Sequence, residues 1–214
     1  LVAYRPPQPM SVAMARQTGS GAIAIAQKLA AYLQGHTRPG ERPWAAFDRN
    51  LISKVLEDHR LPARLARFLP EDRVSALSDT VDEILGLHPP SWLLVRQSTE
   101  TILRLAELGH VILVGRAANA ITIGLPNVLR VRLAGSLERR LARVQAREHL
   151  KRPEALALIR HQDRGRARYV KKYFHKDITD VLLYDLTINT DRLSEEEVVR
   201  LLAETVLRRA ESGT

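Results

Sequence analysis

The chain has 214 residues, 45% apolar and 27% charged, which is one globular domain's worth of sequence with a sizeable core. No apolar run approaches the roughly 20 residues of a membrane span, and the lack of cysteine excludes disulfides, thiolate metal sites, iron–sulfur ligation and thiol nucleophiles. The net charge of +9 is concentrated: residues 130–176 hold 15 Lys or Arg against 4 acids, a local +11, which points to nucleotide phosphates, a nucleic acid or a lipid surface, or else to a solvated arginine-rich helix face.

In chain order, residues 1–10 carry Pro6, Pro7 and Pro9 and read as an extended lead-in. It has no basic region followed by an apolar stretch, so no signal peptide is expected; without an initiator Met, a short preceding piece is. A cytoplasmic setting is the default. Ser11 to Arg16 fits a buried strand that ends in Thr18-Gly-Ser-Gly21. From Ala22, apolar residues at Ile23, Ala26, Leu29, Ala30 and Leu33 recur at helical spacing. Trp44 to Phe47 reads as a short second strand, with Asp48 as a helix N-cap. Residues 49–88 read as mostly helical with breaks near Pro62 and Pro70. Ser98 to Leu108 is a helix stopped by Gly109.

Val111 to Val114 is an apolar strand that ends in Gly115-Arg116. Asn127 to Leu133 alternates Val and Arg, as expected of a strand with one exposed face or end. Ser136 caps a helix, and Pro153 to about Phe174 forms a long basic one. Leu186 to Thr190 is a last strand, and Ser194 with Glu197 is a capping box for a final helix. Strands that alternate with helices imply a parallel sheet covered on both faces, and the basic helix that interrupts the alternation suits a cover over a site at the strand ends.

A strand, a Gly-containing turn and a helix together form an anion cradle, because backbone N–H groups point at the ligand and the helix dipole lies behind them. Aligned on Gly21, the phosphate-loop pattern G-x-x-x-x-G-K-[ST] finds Arg16 in place of its first Gly, Ala22 in place of Lys and Ile23 in place of Ser or Thr. The residue pattern by itself therefore suits a phosphate site or a structural turn, and Arg16 suits a substitute cation or a surface residue.

Seven stretches, in this order, carry a wider likeness: Arg16-Gln17-Thr18-Gly19-Ser20-Gly21; Phe47-Asp48-Arg49; Val114-Gly115-Arg116-Ala117-Ala118-Asn119; Asn127-Val128-Leu129; Ser136 to Arg147; Asp163-Arg164-Gly165-Arg166-Ala167-Arg168; and Tyr184 to Thr190. From about Ser11 to Leu207 the chain resembles the cytidylate-kinase-like group of phosphate-loop proteins, which shares an Arg-Gln-x-Gly-Ser-Gly loop without the usual lysine.

The resemblance implies a three-layer α/β/α fold on a five-stranded parallel sheet. It implies one nucleoside-monophosphate-kinase-like domain over 11–214, with a helical acceptor-binding segment at about 48–97 and a basic lid at about 150–176. It also implies transfer of the γ-phosphoryl group of ATP, with Mg²⁺, to CMP, dCMP or a similar small phosphate acceptor. Gln17, Thr18, Gly19, Ser20 and Gly21 would hold the nucleotide. Asp48, Arg49, Arg116 and Asn119 would meet the acceptor. Arg16, Arg164 and Arg168 would supply charge for transfer.

Arginine suits this task because its planar fork grips two phosphate oxygens at once. Arg160, Arg164 and Arg168 stand four apart on one helix face, where an anion would relieve their repulsion; Arg166 is expected to point elsewhere. The missing lysine at Ala22, the missing hydroxyl at Ile23 and Ala117 after Arg116 leave one alternative open, and the +11 segment another. One is a nucleotide-binding regulatory module with little or no transfer. The other is a basic nucleic-acid-binding protein, which the 5% aromatic content disfavours because single-strand binding relies on stacking.

Overall fold

The computed structural model describes residues 9–48, 91–115 and 117–212. The expectations for the lead-in before Pro9, for Arg49 and the rest of the acceptor segment to Pro90, and for Arg116 lie outside them. In chain order the described elements are β1 (Ser11–Arg16), α1 (Ala22–Gln34), β2 (Ala45–Phe47), α2 (Ser91–Leu108), β3 (Val111–Val114), α3 (Ala118–Ile121), β4 (Val128–Ala134), α4 (Leu137–Glu148), α5 (Arg152–Phe174), a 3₁₀ turn (Val181–Leu183), β5 (Leu186–Asn189) and α6 (Glu195–Ser212).

The five strands form one parallel sheet in the order β2-β3-β1-β4-β5. Helices lie on both faces, so the fold is a three-layer α/β/α sandwich. Strand β1 shows how the faces are divided. Val12 and Met14 pack with Ile25, Leu29 and Leu33 of α1 and with Val198, Leu202 and Val206 of α6. Ala13, between them, faces Ile102, Leu105 and Ala106 of α2. That period of two is the pleat of the strand, and the four-residue spacing on α1 is one stripe of a helix. On the α2 side β1 offers Ser11, Ala13 and, at the cavity end, Ala15, and these small residues let the helix backbone come close. The Ser11 hydroxyl donates to the Ala106 carbonyl at 2.9 Å.

Helix ends follow local chemistry. Ser136 accepts from the Arg139 amide at 3.4 Å. Ser194 and Glu197 form the reciprocal box: the Ser194 amide donates to Glu197 at 2.7 Å, and the Glu197 amide to Ser194 Oγ at 3.2 Å. Helix α2 begins at Ser91, seven residues before the apolar periodicity marks it. The one-turn α3 is too short to show a period.

Helices α4 and α5 form a hairpin with its own small core of Leu141, Val144, Ala155 and Ile159. The far end of α5 rests on α3 through Tyr169, Val170 and Ala117. This hairpin carries the middle of α5 past the carboxyl end of β1.

Candidate active site

The register brings Arg16, Phe47, Val114 and Leu133 to the same edge of the sheet. Adjacent strands β1 and β3 leave that edge in opposite directions, β1 towards α1 and β3 towards α3, which sit on opposite faces. Open parallel sheets bind ligands at such a switch point. A cavity of about 170 Å³ opens there. Arg16 and Gln17 line it from β1 and its turn, Gly115 and Asn119 from the β3 side, Arg132 from β4, and Asp163 and Arg166 from α5.

The turn after β1 is held by backbone geometry. Gly19 and Gly21 have φ of +84° and +83°, values an L side chain adopts only with strain. A Cβ at Gly19 would also lie 2.4 Å from the Arg140 carbonyl oxygen, so α4 packs against the turn too closely for any other residue. Gly21 then caps α1.

Expected loop residues divide by role. The Gln17 side chain accepts the Gly135 amide at 3.0 Å, which ties the loop to the end of β4. Ser20 is 1% exposed, and its hydroxyl has no hydrogen-bond partner among the described residues. Ala22, at the position of the missing lysine, is 4% exposed and belongs to the core beneath α1.

Thr18 carries the informative contact. Its amide donates at 2.9 Å to Asp163 Oδ1, a carboxylate brought by α5 from 145 residues away. Its hydroxyl donates to Gln162 Oε1 at 3.1 Å and accepts from Arg166 Nη2. Arg166 also pairs with Asp163. Arg140 completes the cluster: Nη1 donates to Asp163 Oδ2 at 2.8 Å and to the Thr18 carbonyl at 3.2 Å, and Nε donates to the Gly135 carbonyl at 3.0 Å. Arg143 reaches the Gly19 carbonyl and, at 2.7 Å, the Thr190 carbonyl. Burial by itself would raise the Asp163 carboxyl, but the Thr18 amide and the Arg166 guanidinium outweigh it and hold the group below its ordinary value.

The lid arginines are placed differently from the sequence expectation. Arg160, Arg164 and Arg168 do share a face, and it is exposed to solvent. Arg166, expected to point elsewhere, is 9% exposed and turned to the loop. The reason is which side of α5 docks: Ile159, Arg166 and Val170 lie on the inward stripe, and Arg164 stands about 200° round the helix from Arg166.

Arg16, half-buried, lines the cavity as expected. Asn119 lines it too, but its amide nitrogen donates to the Ala13 and Val131 carbonyls at 3.0 and 3.2 Å, so that end of the side chain serves the sheet. Asp48 lies half-buried just past β2 and is not among the residues that line the cavity. Three arginines were missed. Arg132 donates to the Ile178 carbonyl and lies 5.6 Å from the centre of the Tyr184 ring. Arg140 and Arg143 sit in a helix where arginines are common, and no local pattern singles them out.

Among the described residues no three acids or histidines gather in a way that could hold a metal ion, and no helix is long and apolar enough to cross a membrane.

The chain is similar to several known proteins in sequence or in fold. A cytidylate kinase of Methanopyrus kandleri is 36% identical over 105 residues, 45% of this chain and 54% of that protein. The chain thus spans about half the length of the relatives it matches. Among solved structures, an uncharacterized protein from Eubacterium ventriosum superposes with a TM-score of 0.67 at 19% identity, over 94% of this chain and 99% of its own. A gluconokinase from Sinorhizobium meliloti superposes with a TM-score of 0.53 at 16% identity, over 97% of each chain. Both likenesses are of the fold. The cytidylate kinase-like family model matches residues 11–192, which takes in every strand, the turn after β1 and all of α5, and the chain belongs to that family.

Proposed function

We propose that the protein is a cytidylate kinase-like phosphotransferase that moves the γ-phosphoryl group of ATP to CMP, dCMP or a similar small phosphate acceptor. The observation that carries this reading is the loop after β1, which presents a backbone amide to an anion at the switch point, with Arg140 and Arg166 on Thr18 and Arg16 and Arg132 in the cavity wall beside it. In this reading an acceptor phosphate oxygen attacks the γ-phosphorus, the bond to the β,γ-bridging oxygen breaks, and ADP leaves with that electron pair. Such transfer asks little covalent chemistry of a protein and a great deal of positioning and positive charge.

Gln17 to Gly21 would hold the donor's phosphates, with Arg16 as the cation nearest the strand end. Asp48, Arg49, Arg116 and Asn119 remain the proposed acceptor contacts. Arg164 and Arg168 remain proposed for charge stabilisation, beside Arg166, which already touches the loop. The Asp163 carboxylate on the Thr18 amide supports the fit of a phosphate there, since both are oxyanions that accept from N–H groups. Mg²⁺ would be held mainly by the nucleotide's own phosphate oxygens and water, the usual manner for this ion in kinases.

A second reading, a nucleotide-binding regulator without useful transfer, is favoured by Ala22, because a buried alanine at the first position of α1 supplies no cation at the β,γ bridge. A coupled assay with ATP, Mg²⁺ and each of CMP, dCMP, UMP, AMP and GMP decides between them. ADP release that depends on CMP or dCMP supports the kinase. ATP binding without any acceptor-dependent release supports the regulator.

A further inference from the structure

We propose that Asp163 is a built-in occupant of the phosphate loop, a carboxylate that holds α5 against the Thr18 amide until a nucleotide's phosphate displaces it. The inference rests on the phosphate-binding reading of the loop, and it adds a competition that the reading alone does not contain.

Three features support it. First, the donor set around Asp163 is that of a phosphate site. Oδ1 takes the Thr18 amide and Arg166, and Oδ2 takes Arg140. Backbone N–H groups and arginine forks at a helix entrance are the groups that bind phosphate oxygens, so carboxylate and phosphate compete for the same donors. Gln162 beside it and Arg16 on the strand complete the polar surroundings.

Second, the contact runs through polar groups. Helix α5 packs through apolar residues at Ala155 and Ile159 on α4 and at Tyr169 and Val170 on α3. Between them, where it crosses the loop, its hydrogen bonds to Thr18 come from Gln162, Asp163 and Arg166. A polar contact can be exchanged for phosphate contacts of the same kind at little net cost.

Third, space is short. The cavity of about 170 Å³ is below the roughly 300–1,000 Å³ of ordinary small-molecule sites, and Asp163 and Arg166 form part of its wall. Withdrawal of Asp163 enlarges the cavity and frees Arg140 and Arg166 to grip the incoming anion. The apparent affinity for phosphate is then the intrinsic one reduced by the fraction of molecules in which the loop is free.

Inorganic tripolyphosphate is the probe, because it loads the loop without a base or an acceptor. Asp163→Asn keeps the shape of the side chain and removes its charge. By calorimetry at low salt it should bind tripolyphosphate about tenfold more tightly than the unmodified protein. Equal or weaker binding by the variant overturns the proposal, because Asp163 is then a strut and not a competitor.

Asp163→Ser gives the same test should the amide of Asn, set against two guanidinium groups, prevent folding. A measurement on the unmodified protein needs no variant: the carboxyl carbon resonance of Asp163 should shift as tripolyphosphate saturates the loop. Bound tripolyphosphate with an unmoved resonance, or no binding to any form, overturns the proposal. Failure of the kinase reading is separate: tripolyphosphate binds as described, yet no acceptor gains a phosphoryl group in the coupled assay.

Discussion

At the scale of residues, α5 offers a direct comparison between arginines two positions apart. Arg166 is packed on Thr18 and Asp163, and Arg164 and Arg168 stand in solvent. If charge at the loop carries transfer, Arg166→Ala should lower kcat by about two to three orders of magnitude, the roughly 2.7–4 kcal/mol of one lost charge-stabilising donor. Arg164→Ala and Arg168→Ala should lower it less, with melting changed by no more than about 0.5 kcal/mol. Steady-state rates for the three variants check this. Arg16→Ala should weaken ATP binding about tenfold to a hundredfold, the effect of roughly 1.5–3 kcal/mol for one charge-assisted hydrogen bond, as read by calorimetry.

Asp185 illustrates pH dependence. Burial by itself would raise its carboxyl, but the Arg130 amide at 2.9 Å, the Arg130 guanidinium at 3.1 Å and Arg209 at 3.2 Å hold it below its ordinary 3.8. A carboxyl lowered by folding contributes stability above its unfolded value and loses it as the pH falls through the folded one. Thermal stability should therefore decline as the pH drops below about 4, and Asp185→Asn should show a shallower decline together with a lower plateau at neutral pH. Melting curves over that range test both.

At the scale of elements, helices follow from caps and stripes. Leu29 is fully buried between β1 and the α1–α6 layer, so Leu29→Ala should cost about 2–5 kcal/mol through lost transfer energy and the cavity left behind. Ser136→Ala, which removes only the cap of α4, should cost about 1 kcal/mol. Denaturant unfolding of the two variants compares them. These features were legible because each depends on neighbours within four residues. The turn after β1 was legible as a shape for the same reason. The start of α2 was not, since its first turns mix apolar residues with Arg96 and Gln97 and show no clear stripe, and Trp92 is 59% exposed.

At the scale of the whole molecule, the sheet order places the loop in the middle strand, with β3 and β4 on either side to build the cavity walls. A ligand held there touches α5, β4 and the loop together, so its binding is coupled to global stability. ATP at a hundredfold excess over its Kd should stabilise the fold by about 2.7 kcal/mol. For a chain of this length that corresponds to roughly 5–11 °C in Tm. Scanning calorimetry with and without ATP and Mg²⁺ measures it, and an unchanged Tm would argue against nucleotide binding at this edge.

Among the described residues the sequence by itself determined the strands, most helix boundaries and the Gly-containing turn, and with them the family, because periodicity, caps and ordered motifs are local properties of a chain. It also put Arg160, Arg164 and Arg168 on one face, since residues four apart on a helix are neighbours whatever surrounds them. Only the tertiary structure decided which face of α5 meets the loop. That choice depends on Ile159 finding Leu141 and Val144, and on Tyr169 and Val170 finding Ala117, contacts between elements that no window of sequence contains. The same docking turned Arg166 inward and brought Asp163 across 145 residues to the Thr18 amide. It also selected Arg140, 7% exposed, from a run of otherwise similar arginines, because the carbonyls of Thr18 and Gly135 and the Asp163 carboxylate come together only when β1, β4 and α5 are all in place.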